Sequence, residues 1–212
     1  MKIEREEFEN IGSRTLKVSN IEIGDHSFIL EMVMKDQYSN PIEAICRELA
    51  SNCRDAHREI GTPDRPIEIK LPNHWNNDIV FKDYGPGINP SRIDDVYTKV
   101  GRSTKRDSNL QTGGFGLGAK TPFAYTSQFS VITTTKILNQ VDVDTLNLAT
   151  NKEYKLASVL GKHLKCTYTM FLGSKNENIA GGAKLHIAEL TTDPTGTEVI
   201  IGVDNKDINS FV

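Results

Sequence analysis

Three polar residues, Glu48, Asn52 and Asp55, are spaced so that a helix brings them to one side. An α-helix advances by roughly 100° per residue, and on that wheel the three residues fall within one narrow stripe. The apolar side chains of the same segment form a stripe directly beside it: Ile45, Leu49, Cys53, Ala56 and Ile60. A core-facing helix normally keeps acids and amides away from the edge of its buried face. The arrangement therefore predicts a carboxylate and an amide oxygen at the floor of a pocket.

A further carboxylate, Asp83, stands at the end of a predicted strand and is followed by two glycines, Gly85 and Gly87. Glycine lets the backbone adopt unusual dihedral angles and lets a ligand come close to the chain. An ordinary Asp-Gly-type turn explains this loop equally well when the loop is considered alone. The loop gains interest from its combination with the polar helix stripe and with a glycine-rich segment further along the chain.

That segment, residues 101–120, is basic at its start and dense in glycine at its end, where it leads into a predicted helix. Backbone amides at a glycine-rich helix N-terminus form a ready anion site. A P-loop needs adjacent glycine and lysine, but Ala119 separates Gly118 from Lys120. The spacing also differs from the dinucleotide-binding fingerprint, and the companion segments of a protein kinase are absent. These three common phosphate-loop motifs are therefore excluded.

The rest of the chain predicts the elements that must position these residues. A helix of about twenty residues runs from its cap at Asn40 to its stop at Gly61. A hairpin of residues 66–71 and 78–83 follows, and then a short helix over 90–100. Four further strands are predicted: residues 129–135, 164–171, 184–190 and 198–203. Because few crossover helices separate the strands, we expect antiparallel pairing in one α+β domain with helices on one face of a sheet.

The composition limits the classes of function. The chain has 212 residues, of which 37% are hydrophobic and 25% charged, as expected for a soluble globular domain. A formal net charge of −3 gives no argument for binding nucleic acid, and no apolar run is long enough to span a membrane. Three cysteines without paired spacing argue against a disulfide scaffold and favour a reducing, cytoplasmic setting. The histidines show no triad or metal-site arrangement and are expected in surface or core packing.

Taken together, four segments resemble the motifs of the GHKL family of ATPases. That family joins DNA gyrase B, the ninety-kilodalton heat-shock chaperones, the MutL proteins and the catalytic domains of histidine kinases. The segments that carry the resemblance stand in the family's order and are residues 48–56, 83–87, 113–118 and 196–199. The similarity extends over roughly residues 40–203, so it covers most of the chain.

The resemblance implies a Bergerat-type two-layer sandwich, with a mixed and mostly antiparallel sheet, that binds ATP and Mg²⁺. Glu48 is then the general base that activates the attacking water, and Asn52 is the Mg²⁺ ligand. Asp83 accepts a hydrogen bond from the adenine amino group, with support from Thr197. The residues implied to bind nucleotide are Asn52, Asp55, Asp83, Gly85, Gly87, Ser103, Thr104, Lys105, Gly113, Gly114, Phe115, Gly116, Leu117, Gly118, Lys120 and Thr197.

Some of these assignments leave alternatives open. Asp55 is expected to support the pocket, and a buried structural carboxylate explains it equally well. Lys120 is expected either to reach a phosphate or to lie on the helix surface. Residues 101–118 are implied to form a lid over ATP, and residues 1–25 form either an arm that meets a partner chain or a frayed terminus. The amino-acid sequence of residues 47–57 and 113–120 is most similar to that of phage rIIA-type lysis-inhibition proteins. This resemblance would place the chain in the cytoplasm of a bacterial host.

The resemblance leads to three candidate functions. The first is a conformational or dimerisation switch driven by slow, Mg²⁺-dependent ATP hydrolysis, acting with a second copy of the chain or an unidentified protein partner. The second is a nucleotide-binding regulatory module without turnover. The third is a histidine-kinase-type phosphotransferase, which Glu48 disfavours because such domains generally lack that acid. The chain is expected to be a single domain of residues 1–212, without the following domain that supplies a lysine to the γ-phosphate in gyrase and MutL. It is then either the N-terminal portion of a longer protein or a domain that hydrolyses ATP weakly if at all.

Overall fold

The computed structural model describes residues 38–98, 117–173 and 181–211. Its elements follow one another in this order: α1 (Pro41–Glu59), β1 (Glu68–Lys70), β2 (Asp78–Lys82), α2 (Pro90–Tyr97), a first 3₁₀-helix (Gly118–Ala124), β3 (Gln128–Lys136), α3 (Gln140–Thr150), α4 (Leu156–Val159), β4 (His163–Phe171), β5 (Gly182–Thr191), β6 (Gly196–Gly202) and a second 3₁₀-helix (Asn205–Ser210). The predicted arm over 1–25 and most of the predicted lid over 101–118 lie outside the described residues. So do these predicted nucleotide contacts, which stay predictions: Ser103, Thr104, Lys105, Gly113, Gly114, Phe115 and Gly116.

The described strands form one sheet in the order β1-β2-β6-β3-β4-β5. Every pairing between them is antiparallel. The last strand in the chain, β6, inserts between β2 and β3, and this brings its start beside the end of β2. The predicted α+β sandwich is confirmed. The parallel part of the predicted mixed sheet has no counterpart among the described strands.

One face of the sheet forms the hydrophobic core with the helices. Phe81, Val199, Val131 and Tyr168 are neighbours across four adjacent strands, and all four are buried. They share their core with apolar residues of α1, α2, the first 3₁₀-helix and α3. On the opposite face the side chains are more exposed, and Ile132 there is only half-buried. The helices therefore form one layer and the sheet the other.

Helix α1, which carries the polar stripe, begins where the sequence predicts. The Asn40 side chain accepts a hydrogen bond from the Glu43 N–H at 3.2 Å, and Pro41 occupies the first turn. The helix ends at Glu59. The predicted place of Ile60 in the apolar stripe is wrong, because Ile60 is the C-cap residue and is 41% exposed.

Four other helical segments differ from the prediction, which contains neither α4 nor the second 3₁₀-helix. Helix α3 is absent from it, although a capping box between Asn139 and Asp142 starts this helix and Val143 and Leu146 are buried beneath it. The helix predicted after the glycine-rich segment is a 3₁₀-helix, and Pro122 lies inside it rather than in its first turn. No helix in the described part of the chain combines the length and the apolar character needed to cross a membrane.

Candidate functional site

The first 3₁₀-helix meets α1 at Gly118, directly beside two residues of the polar stripe. A Cβ atom placed on Gly118 would lie 2.9 Å from Glu48 Oε2 and 3.7 and 3.8 Å from the amide nitrogen and oxygen of Asn52. Glu48 and Asn52 are half-buried and lie one helical turn apart. A carboxylate and an amide therefore share one small space with glycine backbone. A side chain at position 118 would displace the Glu48 carboxylate.

The second oxygen of Glu48 faces a different environment. Oε1 forms an ion pair with Arg47 Nε at 3.4 Å, and because Arg47 is largely exposed this pair adds little stability. The half-buried Tyr38 lies near the same carboxylate. Burial raises the pKa of the Tyr38 phenol, and the charge of Glu48 adds to that rise. Tyr38 precedes α1, so the helical pattern that predicts Glu48 does not include it.

Asp83 is 6% exposed and is held by backbone groups of two elements. Its Oδ1 accepts hydrogen bonds from the Gly85 N–H at 2.8 Å and from the Thr197 N–H at 3.2 Å. Burial raises the pKa of the Asp83 carboxyl to about 6, and the two N–H donors offset part of the rise. A Cβ atom on Gly196 would lie 2.2 Å from the Asp83 carbonyl oxygen, so β6 packs directly on this loop. Within the described residues, Oδ2 has no hydrogen-bond partner.

The charge of Asp83 acts on two side chains of the hydrophobic core, Cys53 and Tyr97. Burial raises the pKa of the Cys53 thiol to about 12, and the negative charge of Asp83 adds to the rise. Burial likewise raises the pKa of Tyr97 at the end of α2, and Asp83 again adds to it. Both side chains belong to the hydrophobic core. Cys53 is therefore a core thiol, as predicted, and Asp83 is a buried carboxylate whose charge reaches the core.

Gly85 and Gly87 let the loop after β2 pack closely between α1 and β3. A Cβ atom on Gly85 would lie 2.6 Å from Ala56 Cβ, and one on Gly87 would lie 2.2 Å from the Thr134 carbonyl oxygen. Gly87 also has a φ of +74°, which favours glycine. These contacts explain both glycines by chain packing, and their predicted contact with a ligand stays a prediction.

Lys120 lies in the first 3₁₀-helix and is 1% exposed. Its ammonium group donates a hydrogen bond to the Val96 carbonyl oxygen of α2 at 2.6 Å. Burial lowers the pKa of Lys120 to about 8. The helix-surface alternative for Lys120 is therefore wrong, and its contact with a phosphate stays a prediction. Leu117, which precedes this helix, is half-buried and packs against the core.

Asp55 and Thr197 are both buried, and their predicted contact with nucleotide stays a prediction. Asp55 is buried and forms an ion pair with Arg58 Nη1 at 3.3 Å. This position fits the structural alternative for Asp55. Thr197 is buried as well, and its backbone N–H is the group that bonds Asp83.

His57 joins the last turn of α1 to two loops, and no sequence pattern predicts this role. The side chain is fully buried, its Nε2 accepts a hydrogen bond from the Tyr84 N–H at 2.8 Å, and its Nδ1 lies 2.9 Å from the Arg65 carbonyl oxygen. An N–H faces Nε2 and a carbonyl oxygen faces Nδ1, so this geometry makes Nε2 the acceptor and Nδ1 the donor. The Arg65 guanidinium lies over the Tyr84 ring at 3.8 Å, and the Tyr84 hydroxyl donates to Glu68.

The Gly118 end of the site contains oxygen atoms suited to a hard cation. Among the residues that the structure describes, no group of three or more His, Cys, Asp or Glu side chains could hold a metal ion. Mg²⁺, however, is usually bound by one or two protein groups together with substrate phosphates. The amide oxygen of Asn52 fits that kind of site, and the Glu48 carboxylate lies beside it at Gly118.

Comparison with known families adds an independent finding. A family model described as Histidine kinase-, DNA gyrase B-, and HSP90-like ATPase matches residues 38–167, well over half of the chain. No curated protein gives a significant match. The matched region includes α1, the loop after β2 and the first 3₁₀-helix, whereas β6 and Thr197 lie beyond it.

Proposed function

Because the chain belongs to the family of histidine kinase-, DNA gyrase B- and HSP90-like ATPases, we propose that it binds ATP with Mg²⁺ and hydrolyses it slowly. The proposed site lies between α1, the loop of residues 83–87 and the first 3₁₀-helix. The observation that carries the proposal is the approach of Gly118 to Glu48 and Asn52, since a Cβ atom added to Gly118 would lie 2.9 Å from Glu48 Oε2. Two motifs that are distant in sequence thus lie together, and they provide a carboxylate, an amide oxygen and glycine backbone for phosphoryl transfer.

Glu48 is proposed to orient and deprotonate the attacking water. A general base must lie within hydrogen-bond reach of the proton it removes. Oε1 of Glu48 is paired with Arg47, while Oε2 faces the Gly118 backbone. The oxygen on the glycine side is therefore the one available to a water molecule beside the phosphates.

Asn52 is proposed to hold Mg²⁺ through its amide oxygen. The bound ion supplies neutralising charge to the phosphoryl oxygens. Because Asn52 carries no charge, its affinity for the free cation is weak, and we expect the metal to bind together with the nucleotide. The Gly118 backbone lies beside this amide, and Leu117 and Gly118 are the described residues of the proposed phosphate-binding segment.

Asp83 is proposed to recognise the adenine amino group. Oδ1 is held by two backbone N–H donors, which leaves Oδ2 to accept from a ligand. The burial of Asp83, near enough to the core side chains Cys53 and Tyr97 to act on them, suits a flat, weakly polar base and strengthens a hydrogen bond to a carboxylate. A ligand without a donor at this point would leave a buried charge unsatisfied, which gives selectivity for adenine.

The biological role proposed is a nucleotide-driven switch, in which ATP favours dimerisation or the docking of a protein partner. A ligand shifts a conformational equilibrium only when it binds the two states with different affinity. The lid over 101–118 and the single domain over 1–212 belong to this proposal. The similarity to phage rIIA-type proteins stays a prediction.

Turnover and binding measurements on three variants test the proposal. We expect slow hydrolysis by the wild type in Mg²⁺, and a loss of turnover of about 100-fold or more in Glu48→Gln with nucleotide affinity retained. Asn52→Ala should lose Mg²⁺-dependent nucleotide binding. His186→Asn, on the edge strand β5, serves as the control and should match the wild type.

The possible outcomes separate the alternatives. Intact binding without turnover in the wild type would favour a regulatory module. Labelled phosphate on a protein histidine would favour a phosphotransferase. If the wild type binds no adenine nucleotide at all, the proposed function is refuted.

A further inference from the structure

The peptide group between Asp83 and Tyr84 is hydrogen-bonded at its N–H and closely packed at its carbonyl oxygen. Its N–H, from Tyr84, donates to His57 Nε2 at 2.8 Å. Its carbonyl oxygen, from Asp83, packs against Gly196, where a Cβ atom would approach to 2.2 Å. The positions of the Asp83 N, Cα and C atoms set the direction in which its side chain leaves the backbone, and this peptide group fixes them together with the Asp83 N–H, which donates to the Thr197 carbonyl oxygen at 2.9 Å.

We propose that His57 is a positioning residue for base recognition, because it fixes the backbone from Asp83 to Gly85 and so aims the Asp83 carboxylate. This inference rests on the proposed function, in which Asp83 binds the adenine amino group. His57 is fully buried, so no water replaces it as a partner of the Tyr84 N–H without opening the loop. The residue before it, Ala56, is the one against which Gly85 packs.

The proposal requires one tautomer of the imidazole. Nε2 must accept from Tyr84, so Nδ1 carries the proton and donates to the Arg65 carbonyl oxygen at 2.9 Å. The same ring therefore anchors α1 to the segment before β1 and to the loop after β2. Of these two hydrogen bonds, only the one from the Tyr84 N–H acts on Asp83.

Two substitutions at position 57 separate these bonds. The amide of glutamine reaches the place of Nε2 and can accept from Tyr84, whereas the shorter asparagine reaches only the place of Nδ1 and can donate to Arg65. His57→Asn should bind ADP about tenfold more weakly and lose part of its preference for ADP over GDP. His57→Gln should stay within about threefold of the wild type in both measurements. Amide exchange at Tyr84 should speed up in His57→Asn and remain slow in His57→Gln.

A purely structural role for His57 predicts a different result, because each variant loses one buried hydrogen bond. Affinity would then follow the free energy of unfolding, which urea titration measures for both variants. Equal behaviour of the two variants, or an unchanged Tyr84 exchange rate in His57→Asn, overturns the proposal. Faster Tyr84 exchange with unchanged ADP affinity overturns it as well. His163→Asn and His163→Gln, at a histidine whose Nδ1 also contacts a carbonyl oxygen, are the matched controls.

A measurement on the wild type decides the matter if either variant fails to fold. Nitrogen chemical shifts of His57 should show an unprotonated Nε2 and a protonated Nδ1 at neutral pH, and ADP should shift the Tyr84 amide signal. A protonated Nε2 overturns the proposal. Absence of ADP binding by the wild type refutes the proposed function, while Tyr84 exchange in the variants still decides whether His57 holds the loop.

Discussion

Asp83 owes its proposed role to its surroundings more than to its residue type. Many carboxylates of the chain are exposed, but Asp83 is buried and has one oxygen fixed by two N–H donors. Its pKa of about 6 leaves it charged at neutral pH and close to titration. A buried, oriented carboxylate of this kind is a good acceptor for a donor that a ligand brings.

Nucleotide affinity should therefore depend on pH through Asp83. Below about pH 6 Asp83 gains a proton, and the proton goes to Oδ2 because Oδ1 already accepts two N–H bonds. The protonated Oδ2 is then a hydrogen-bond donor that faces the adenine amino group, which is also a donor. We expect ADP affinity to fall by up to about tenfold for each pH unit below 6. Calorimetric titrations from pH 5 to 8 measure this fall.

Asp83→Asn is the matched control for this pH dependence. The asparagine keeps an acceptor at Oδ1 and places an NH₂ group where Oδ2 stands. It should bind ADP weakly at every pH, with a pH profile set by the nucleotide alone. Parallel profiles of variant and wild type would contradict the assignment of Asp83.

Gly118→Ala should impair turnover more than folding. The added methyl group would lie 2.9 Å from Glu48 Oε2, the end of a flexible side chain that can move aside. A displacement near 1 Å of a catalytic group lowers turnover by up to about 100-fold, so we expect a fall of that order with stability changed by less than about 1 kcal/mol. Gly182→Ala, whose methyl group would meet only Phe171 at 3.9 Å, is the control. Unchanged turnover in Gly118→Ala would remove Glu48 from the reaction.

Among the elements, local signals in the sequence predict some and miss others. Helix α1 has its cap and its apolar stripe within its own residues, so its start is predicted to the residue. Helix α3 is missed because its apolar residues form only a weak helical pattern, and its stability comes from the Asn139–Asp142 capping box and from packing. The roles of His57 and Lys120 depend on Tyr84 and Val96, which are distant in sequence. Such contacts follow from the tertiary fold, so residue spacing alone does not reveal them.

The loop after β2 should owe its docking on β3 to Gly87. In Gly87→Ala the methyl group would lie 2.2 Å from the Thr134 carbonyl oxygen, at a φ of +74°. Gly61→Ala places a methyl group at a nearly equal φ of +75° with nothing within 4 Å. We expect a loss of about 1 kcal/mol for Gly61→Ala from backbone strain, and at least about 2 kcal/mol more for Gly87→Ala from the clash. Urea unfolding measures both, and equal losses would mean that the loop moves away from β3 without penalty.

At the scale of the whole molecule, the site places two charges inside a small two-layer sandwich. Asp83 has a pKa raised to about 6, and Lys120 has a pKa lowered to about 8. Between these values both groups are charged, and burial disfavours the charged form of each. The pH range in which the site can act is therefore the range in which these two groups contribute least to stability.

The free energy of unfolding of the wild type, minus that of a variant without these two groups, should therefore pass through a minimum between the two pKa values. The folded pKa of Asp83 lies above its unfolded value of 3.8, so its contribution is lost as pH rises from 3.8 to about 6. The folded pKa of Lys120 lies below its unfolded value of 10.5, so its contribution is gained as pH rises from about 8 to 10.5. Each of these two changes in the free energy of unfolding amounts to about 3 kcal/mol.

The double variant Asp83→Asn/Lys120→Met removes both titrations while all other groups stay the same. Urea unfolding at pH 4, 7 and 10 gives the free energy of unfolding of each protein, and wild type minus variant should be lowest at pH 7. The single variants should show that the change between pH 4 and 7 comes from Asp83 and that the change between pH 7 and 10 comes from Lys120. A difference independent of pH would mean that neither charge is buried in the folded protein, and the buried setting proposed for base recognition would fail with it.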